Sequence, residues 1–409
     1  LAGLAMAQSL KSPDGKLQLD FMMSKGGIPY YTLKFEGKTV LKESRLGVRV
    51  KDDPGFVENM AETVNRVYTG FDETWQPVLG EVKEIRNRYN EMKVTLQQID
   101  TKKPVVIVFR LFNDGLGFRY EFPETENQRY FTIMGEMTEF ALNGDHKAFW
   151  IPGDFDSNEY PYATSKLSGI DAEMGKDFFE ISTRRLIAAN SVQSPLMMKS
   201  DDGLYINIFE ASVVDYPVMH LLVERENYSV TTTFSPDAVG NVAWMQAPCA
   251  TPWRTVIVTK TAEEMLASKL TLNLNEPSKI KDVSWIKSNK YLGIWWELHV
   301  GKASWNYSDV NNVKIGETDW LKLKPNGRHG ATTERTKFYI DYAAKHGFDG
   351  VLVEGWNVGW EDWFGQWKEN VFDFVTPYPD FDVKELQKYA ASKGVKLIMY
   401  HETSASATN

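Results

Sequence analysis

The stretch Val351-Leu352-Val353-Glu354-Gly355-Trp356-Asn357 runs from an unbroken apolar strand straight into a carboxylate, and Leu397-Ile398-Met399-Tyr400-His401-Glu402 does the same further on. A strand that is apolar on both faces is covered on both sides, which is the habit of parallel sheets. A Glu that closes such a strand beside Trp, Asn or His has left the core for a pocket that holds something polar.

Helix signals surround these strands. Thr332–His346 reads as a helix with Phe338, Tyr342 and Ala343 on one face and a stop at Gly347. Asp382–Ser392 reads as a second, with Asp382 and Glu385 as a cap pair, Leu386, Tyr389 and Ala390 buried, and a stop at Gly394. With strands at Tyr291–Glu297, Gly350–Glu354 and Val395–His401, residues 289–409 alternate strand and helix, and such βα units imply a parallel sheet covered by helices. A closed (β/α)8 barrel needs eight units and about 250 residues, so these strands are expected to be its first three βα units.

Upstream the period changes from helical to alternating. Leu17–Phe21, Tyr31–Phe35, Lys93–Ile99, Val105–Phe112, Phe118–Phe122, Leu204–Ile208 and Ser229–Phe234 alternate apolar and polar residues. Turn signals such as Ser12-Pro13-Asp14-Gly15, Asn113-Asp114-Gly115 and Asp201-Asp202-Gly203 separate them. Residues 9–260 are therefore expected to form a large antiparallel β-sandwich. Residues 261–288 are expected to be a helical linker, opened by the capping box Thr261-Ala262-Glu263-Glu264. Residues 1–8, with the small-x-small site Ala5-Met6-Ala7, read as a signal-peptide remnant and imply export to a periplasm-like compartment.

Composition narrows the function. The 409 residues carry a net charge of −9 with 46 Lys+Arg against 55 Asp+Glu and no basic block, which argues against a nucleic-acid partner. No stretch is long and apolar enough to be a membrane span. Cys249 is the single cysteine, so neither a disulfide framework nor a cysteine-built zinc site arises within the chain. Aromatic residues make up 13%, including 13 Trp, and flat rings are suited both to cores and to the faces of neutral sugars.

Several motifs together resemble glycoside hydrolase family 97. They are Gly293-Ile294-Trp295-Trp296-Glu297, His329-Gly330-Ala331, Gly347 through Trp363, Phe372 through Asp382, and His401-Glu402-Thr403-Ser404. The likeness is greatest to the exported α-glucosidases of starch utilisation. It implies an N-terminal β-super-sandwich, a catalytic (β/α)8 barrel and a small C-terminal β-domain, and it implies an oligosaccharide substrate. It assigns Glu402 to one of the two carboxylates that activate water, and Glu354 to a sugar contact in the subsite before the cleaved bond. It assigns Glu159, within Asp154-Phe155-Asp156-Ser157-Asn158-Glu159, to a Ca2+ site that Glu402 shares. Tyr400 stands where the family more usually has His.

The chemistry explains the residue types. Inversion needs one carboxylic acid to protonate the departing oxygen and one carboxylate to take a proton from water on the opposite sugar face, about 6.5–9.5 Å apart. The general acid and second base are expected on later strands. Trp356, Trp296, His401 and His329 are candidate sugar contacts. Trp295, Trp356, Trp360 and Trp363 each read as packing more than stacking, with Trp356 the best sugar platform, and His329 reads as a substrate contact or a structural cap. For Glu297, an ion pair at the rim is the stronger reading. The Asp154 cluster is not an EF-hand, because Glu159 stands where that loop needs Gly and Ser165 where it needs Glu. The reading is thus an inverting, Ca2+-assisted α-glucosidase acting on maltooligosaccharides as a monomer or weak dimer. The alternatives are a retaining α-galactosidase of the same family and a non-catalytic glycan-binding fragment.

Overall fold

The computed structural model describes residues 9–177, 184–363, 368–403 and 406–407. The expected signal remnant at residues 1–8 lies outside them, as does Ser404. The chain divides into two units, Leu1–Lys281 and Asp282–Asn409.

The first unit is antiparallel β-structure. Its largest sheet has 11 strands, and sheets of four, four and three strands accompany it. The alternation read from the sequence becomes alternation of burial: Leu17–Met23 places Leu17, Leu19 and Phe21 inward, and Pro29–Phe35 does the same with Tyr31, Leu33 and Phe35. These residues join Val94, Leu96, Phe109, Phe118, Val192, Leu221 and Val256 in one continuous core. The turns fall as their chemistry requires. Asn113-Asp114 links Pro104–Leu111 to its antiparallel neighbour Gly115–Phe122.

Trp253–Thr259 is buried at every position, which a strand allows only when both sheet faces are covered. Val256 and Val258 face the main core, whereas Trp253 and Ile257 face a second cluster with Tyr89, Met265, Leu270 and Leu274. That second cover is helical. Thr261 caps Ala262–Ala267 through the expected capping box, its hydroxyl accepting from Glu264 N–H, and Leu270–Asn273 follows. The expected linker of residues 261–288 is thereby corrected in its first half. Met265, Leu270 and Leu274 anchor that half to the β-unit, because their apolar side chains close the open face of the large sheet.

The second unit holds a parallel sheet of three strands in the order Tyr291–Ile294, Gly350–Val353, Lys396–Met399. The helices Thr333–His346 and Val383–Ser392 connect them; the Asp382 cap is as read, its carboxylate accepting from Glu385 N–H, whereas Thr332, read as the first helical residue, is the N-cap, its hydroxyl accepting from Arg335 N–H. Gly347 ends the first helix in the left-handed region at φ 72°.

Two details differ from expectation. The first helix buries Thr336, Ile340 and Ala343, whereas Phe338 and Tyr342 are exposed, because the i, i+4, i+7 row passes through Ile340 and not through the larger rings. The first strand ends at Ile294, and Trp296–His299 forms a short helix. Glu297 therefore lies off the strand, where its carboxylate pairs with Arg335 at 2.7 Å, the ion-pair reading.

Candidate functional site at the ends of the parallel strands

Parallel strands bring their C-terminal ends to one edge of the sheet. Ile294 pairs with Val353, and Val353 with Met399, so the residues that follow each strand are neighbours. These are Trp295 and Trp296, then Glu354 to Trp356, then Tyr400 to Glu402. Two backbone bonds continue the registry past the strands, from Glu354 N–H to Ile294 O at 3.0 Å and from Tyr400 N–H to Val353 O at 3.2 Å.

Glu354 is partly buried, and one carboxylate oxygen accepts the indole N–H of Trp305 at 2.8 Å. Burial pushes its carboxyl up. The Trp305 bond and the nearby His299 pull against this, and the negative charge of Glu402 adds to the rise.

Glu402 is half-buried. One of its oxygens accepts the Tyr400 hydroxyl at 3.0 Å and the other the Thr403 N–H at 2.8 Å. Tyr400, standing in place of the usual His, thus fixes the carboxylate instead of adding a second imidazole. His401 is exposed, bonds Phe374 O at 3.2 Å and meets Trp356 edge-on.

Two expected sugar contacts are corrected. Trp356 is only 4% exposed, packs on Phe381, and donates its indole N–H to Tyr400 O at 2.7 Å. It braces the strand end that carries Glu402 and presents no open ring face. His329 has a side chain 3% exposed, with Nδ1 against the Asp380 carboxylate at 2.9 Å and Nε2 against Gly355 O at 2.8 Å. Both ring nitrogens face oxygens that can only accept, so His329 ties the Glu354–Gly355 turn to the Asp380 loop. Trp296, by contrast, is 68% exposed and its ring remains open to a ligand.

Trp305, passed over in the sequence, completes the surroundings with Trp360 and Trp363. Trp305 stacks nearly parallel on Trp360, with centroids 6.2 Å apart, and Trp363 meets both rings edge-on. Beneath them Glu361 accepts from Tyr307 N–H, Ser308 N–H and the Tyr378 hydroxyl, the last at 2.6 Å. Burial raises its carboxyl, against these bonds. A Trp flanked by Ser304, Asn306 and Tyr307 in a polar loop was the available signal for Trp305, but that segment has no period to place it.

Glu159 is exposed at the end of a loop organised by Asp154. The Asp154 carboxylate accepts from Asp156 N–H, Ser157 N–H, Arg185 N–H and the Tyr160 hydroxyl. Among the described residues, no three His, Cys, Asp or Glu side chains converge as a metal cage. Glu159 belongs to the first unit and Glu402 to the second.

Carboxylates at the ends of parallel strands, set among indole rings, are the equipment of proteins that cleave glycosidic bonds. The family profile described as "Glycosyl-hydrolase 97 N-terminal" matches residues 10–277, and that described as "Glycoside hydrolase 97" matches residues 295–409. The chain belongs to glycoside hydrolase family 97. It is similar to a solved family 97 enzyme from a Pseudoalteromonas species, at 35% identity and a TM-score of 0.79 over 95% of this chain and 53% of that one. That enzyme has been solved with acarbose and, as a Glu-to-Gln variant, with panose. A protein of Bacteroides thetaiotaomicron named retaining alpha-galactosidase is 25% identical over 96% of this chain and 55% of its own length. One of Streptomyces bingchenggensis named probable retaining alpha-galactosidase is 26% identical over 94% and 50%. The chain spans about half the length of these curated relatives.

Proposed function

We propose that the protein is an exo-acting α-glucosidase that hydrolyses maltooligosaccharides with inversion. The observation that supports this best is the placement of Glu354 and Glu402 just past the ends of adjacent parallel strands. Glu402 takes the part of general base. Its two oxygens are oriented by Tyr400 and Thr403, so it can meet a water without first reorganising. Glu354, steadied by Trp305, accepts hydroxyls of the sugar before the cleaved bond, and exposed Trp296 offers that sugar a ring face. The general acid is not among these residues and belongs to the later strands of a complete (β/α)8 barrel.

Ca2+ fits the same reading. Glu402 would be one of its ligands, with water and further oxygens completing the about six to eight that the ion takes. When bound it supplies a fixed positive charge that orients hydroxyl oxygens. Export to a periplasm-like compartment, read from Ala5-Met6-Ala7, belongs to the same proposal.

The choice of glucosides is supported by the relative with the higher identity, 35%, having been solved with acarbose and panose. The names of the curated relatives at 25% and 26% identity favour the second reading, a retaining α-galactosidase. That chemistry would use an Asp or Glu nucleophile about 5–5.5 Å from the acid carboxyl. The residues following the three strands offer Glu354 and Glu402 but no Asp. The test is proton NMR of the first product formed from maltooligosaccharide by the full-length protein. β-Glucose is the expected product, and an α-configured sugar would overturn inversion.

A further inference from the structure

We infer that the β-unit carries a second glycan-binding surface, centred on Trp244 and apart from the strand-end carboxylates, that takes a neutral α-glucan chain. Its choice of ligand rests on the α-glucoside reading above, whereas its geometry does not. Trp244 lies on the strand Ala243–Gln246, which pairs with Tyr130–Glu136 in the register Thr132 with Trp244 and Tyr130 with Gln246. Tyr130, Trp244 and Gln246 therefore share one sheet face, with Tyr130 and Trp244 as diagonal neighbours whose backbones stand about 7–8 Å apart. Trp244 is 69% exposed and Tyr130 68%.

A single exposed ring is ordinary on a protein surface. This one is oriented. The loop Asp237–Asn241 is closed on the Asp237 carboxylate by Val239 N–H, Asn241 N–H and the Asn241 side-chain amide, and that carboxylate also receives the Trp244 indole N–H at 3.4 Å. The indole is held by its polar edge and its carbon face is left to solvent. Arg129 sits 5.8 Å over the Tyr130 ring and restricts it in turn.

The groove beside Trp244 has a volume of about 950 Å3, and its wall includes Asp215, Ser235, Asp237 and Gln246. Flat apolar rings with a few polar groups at their rim match the two aspects of a pyranose, its C–H face and its ring of hydroxyls. The carboxylates and the net charge of −9 disfavour an anionic polymer.

The test is native electrophoresis of the full-length protein in gels with and without soluble starch, in parallel with turnover of maltose. Wild-type migration should be slowed in the starch gel. Trp244→Ala should abolish the retardation, and Trp244→Tyr, which keeps a ring, should retain most of it. Maltose turnover should stay within about twofold in both variants, since neither touches the strand-end carboxylates. Retardation unchanged in Trp244→Ala would overturn the inference, as would a wild type that cleaves maltose yet is not retarded. A change of sedimentation coefficient in Trp244→Ala without loss of retardation would assign the face to a second copy of the chain and overturn it too. Retardation that depends on Trp244 in a protein inactive on maltose would sustain this site and remove the glucosidase reading instead.

Discussion

Glu354 shows how much of a site is decided by one carboxylate's surroundings. Burial and the charge of Glu402 raise its carboxyl above the ordinary value of 4.5. Between that value and the raised one, the folded chain holds a proton that the unfolded chain has released. Stability therefore declines as pH rises through the window, and the cost is fully present above it. Glu354→Gln cannot ionise, so its thermal midpoint should vary less than that of the wild type between about pH 4 and 7. Parallel pH curves for the two proteins would contradict the assignment. Glu354 and Glu402 were legible because each follows an apolar run. Trp356 and His329 were legible as prominent residues with two open roles each, since sequence does not tell an indole facing solvent from one facing Phe381. Trp305 was passed over because its partner stands 49 residues away.

At the scale of elements, caps and stops were the most readable features, because Thr261, Asp382 and Gly347 act on backbone groups within a few residues of themselves. The end of the first strand was not. Ile294-Trp295-Trp296 is continuous in hydrophobicity, and the turn into a helix is set by packing that the run itself does not display. Glycine marks the site loop. Gly359 has φ 124°, and a Cβ there would stand 2.2 Å from Val371 O, whereas one on Gly347 would meet nothing within 4 Å. Gly347→Ala should cost about 1–2 kcal/mol, the strain of the left-handed region alone. Gly359→Ala should cost clearly more, because backbone must also move and Trp360 with it. Urea unfolding of the two variants measures the difference, and equal losses would show that the loop yields freely.

Across the whole molecule, the alternation of residues 9–260 announced antiparallel sheets, and the βα period announced parallel ones. What could not be read is the polar centre of the β-unit. Arg254 is fully buried between Glu136 and Glu210, at 2.6 Å from each, although its partners lie 118 and 44 residues away. Tyr216 and Thr138 donate to Glu136 at 3.0 and 2.8 Å, so each member is held by several bonds. Arg254→Met leaves two carboxylates buried without their cation and should destabilise the protein by about 3–5 kcal/mol. Calorimetry checks this, and an unchanged midpoint would mean that water reaches the site.

The proposed hydrolysis turns on Glu402 acting on solvent at the sugar mouth. The direct measurement is maltose turnover by full-length Glu402→Gln beside its circular dichroism and unfolding midpoint. The expected result is an unaltered fold with kcat lowered by about 10²–10⁴. Turnover at the wild-type level in a folded variant would contradict it.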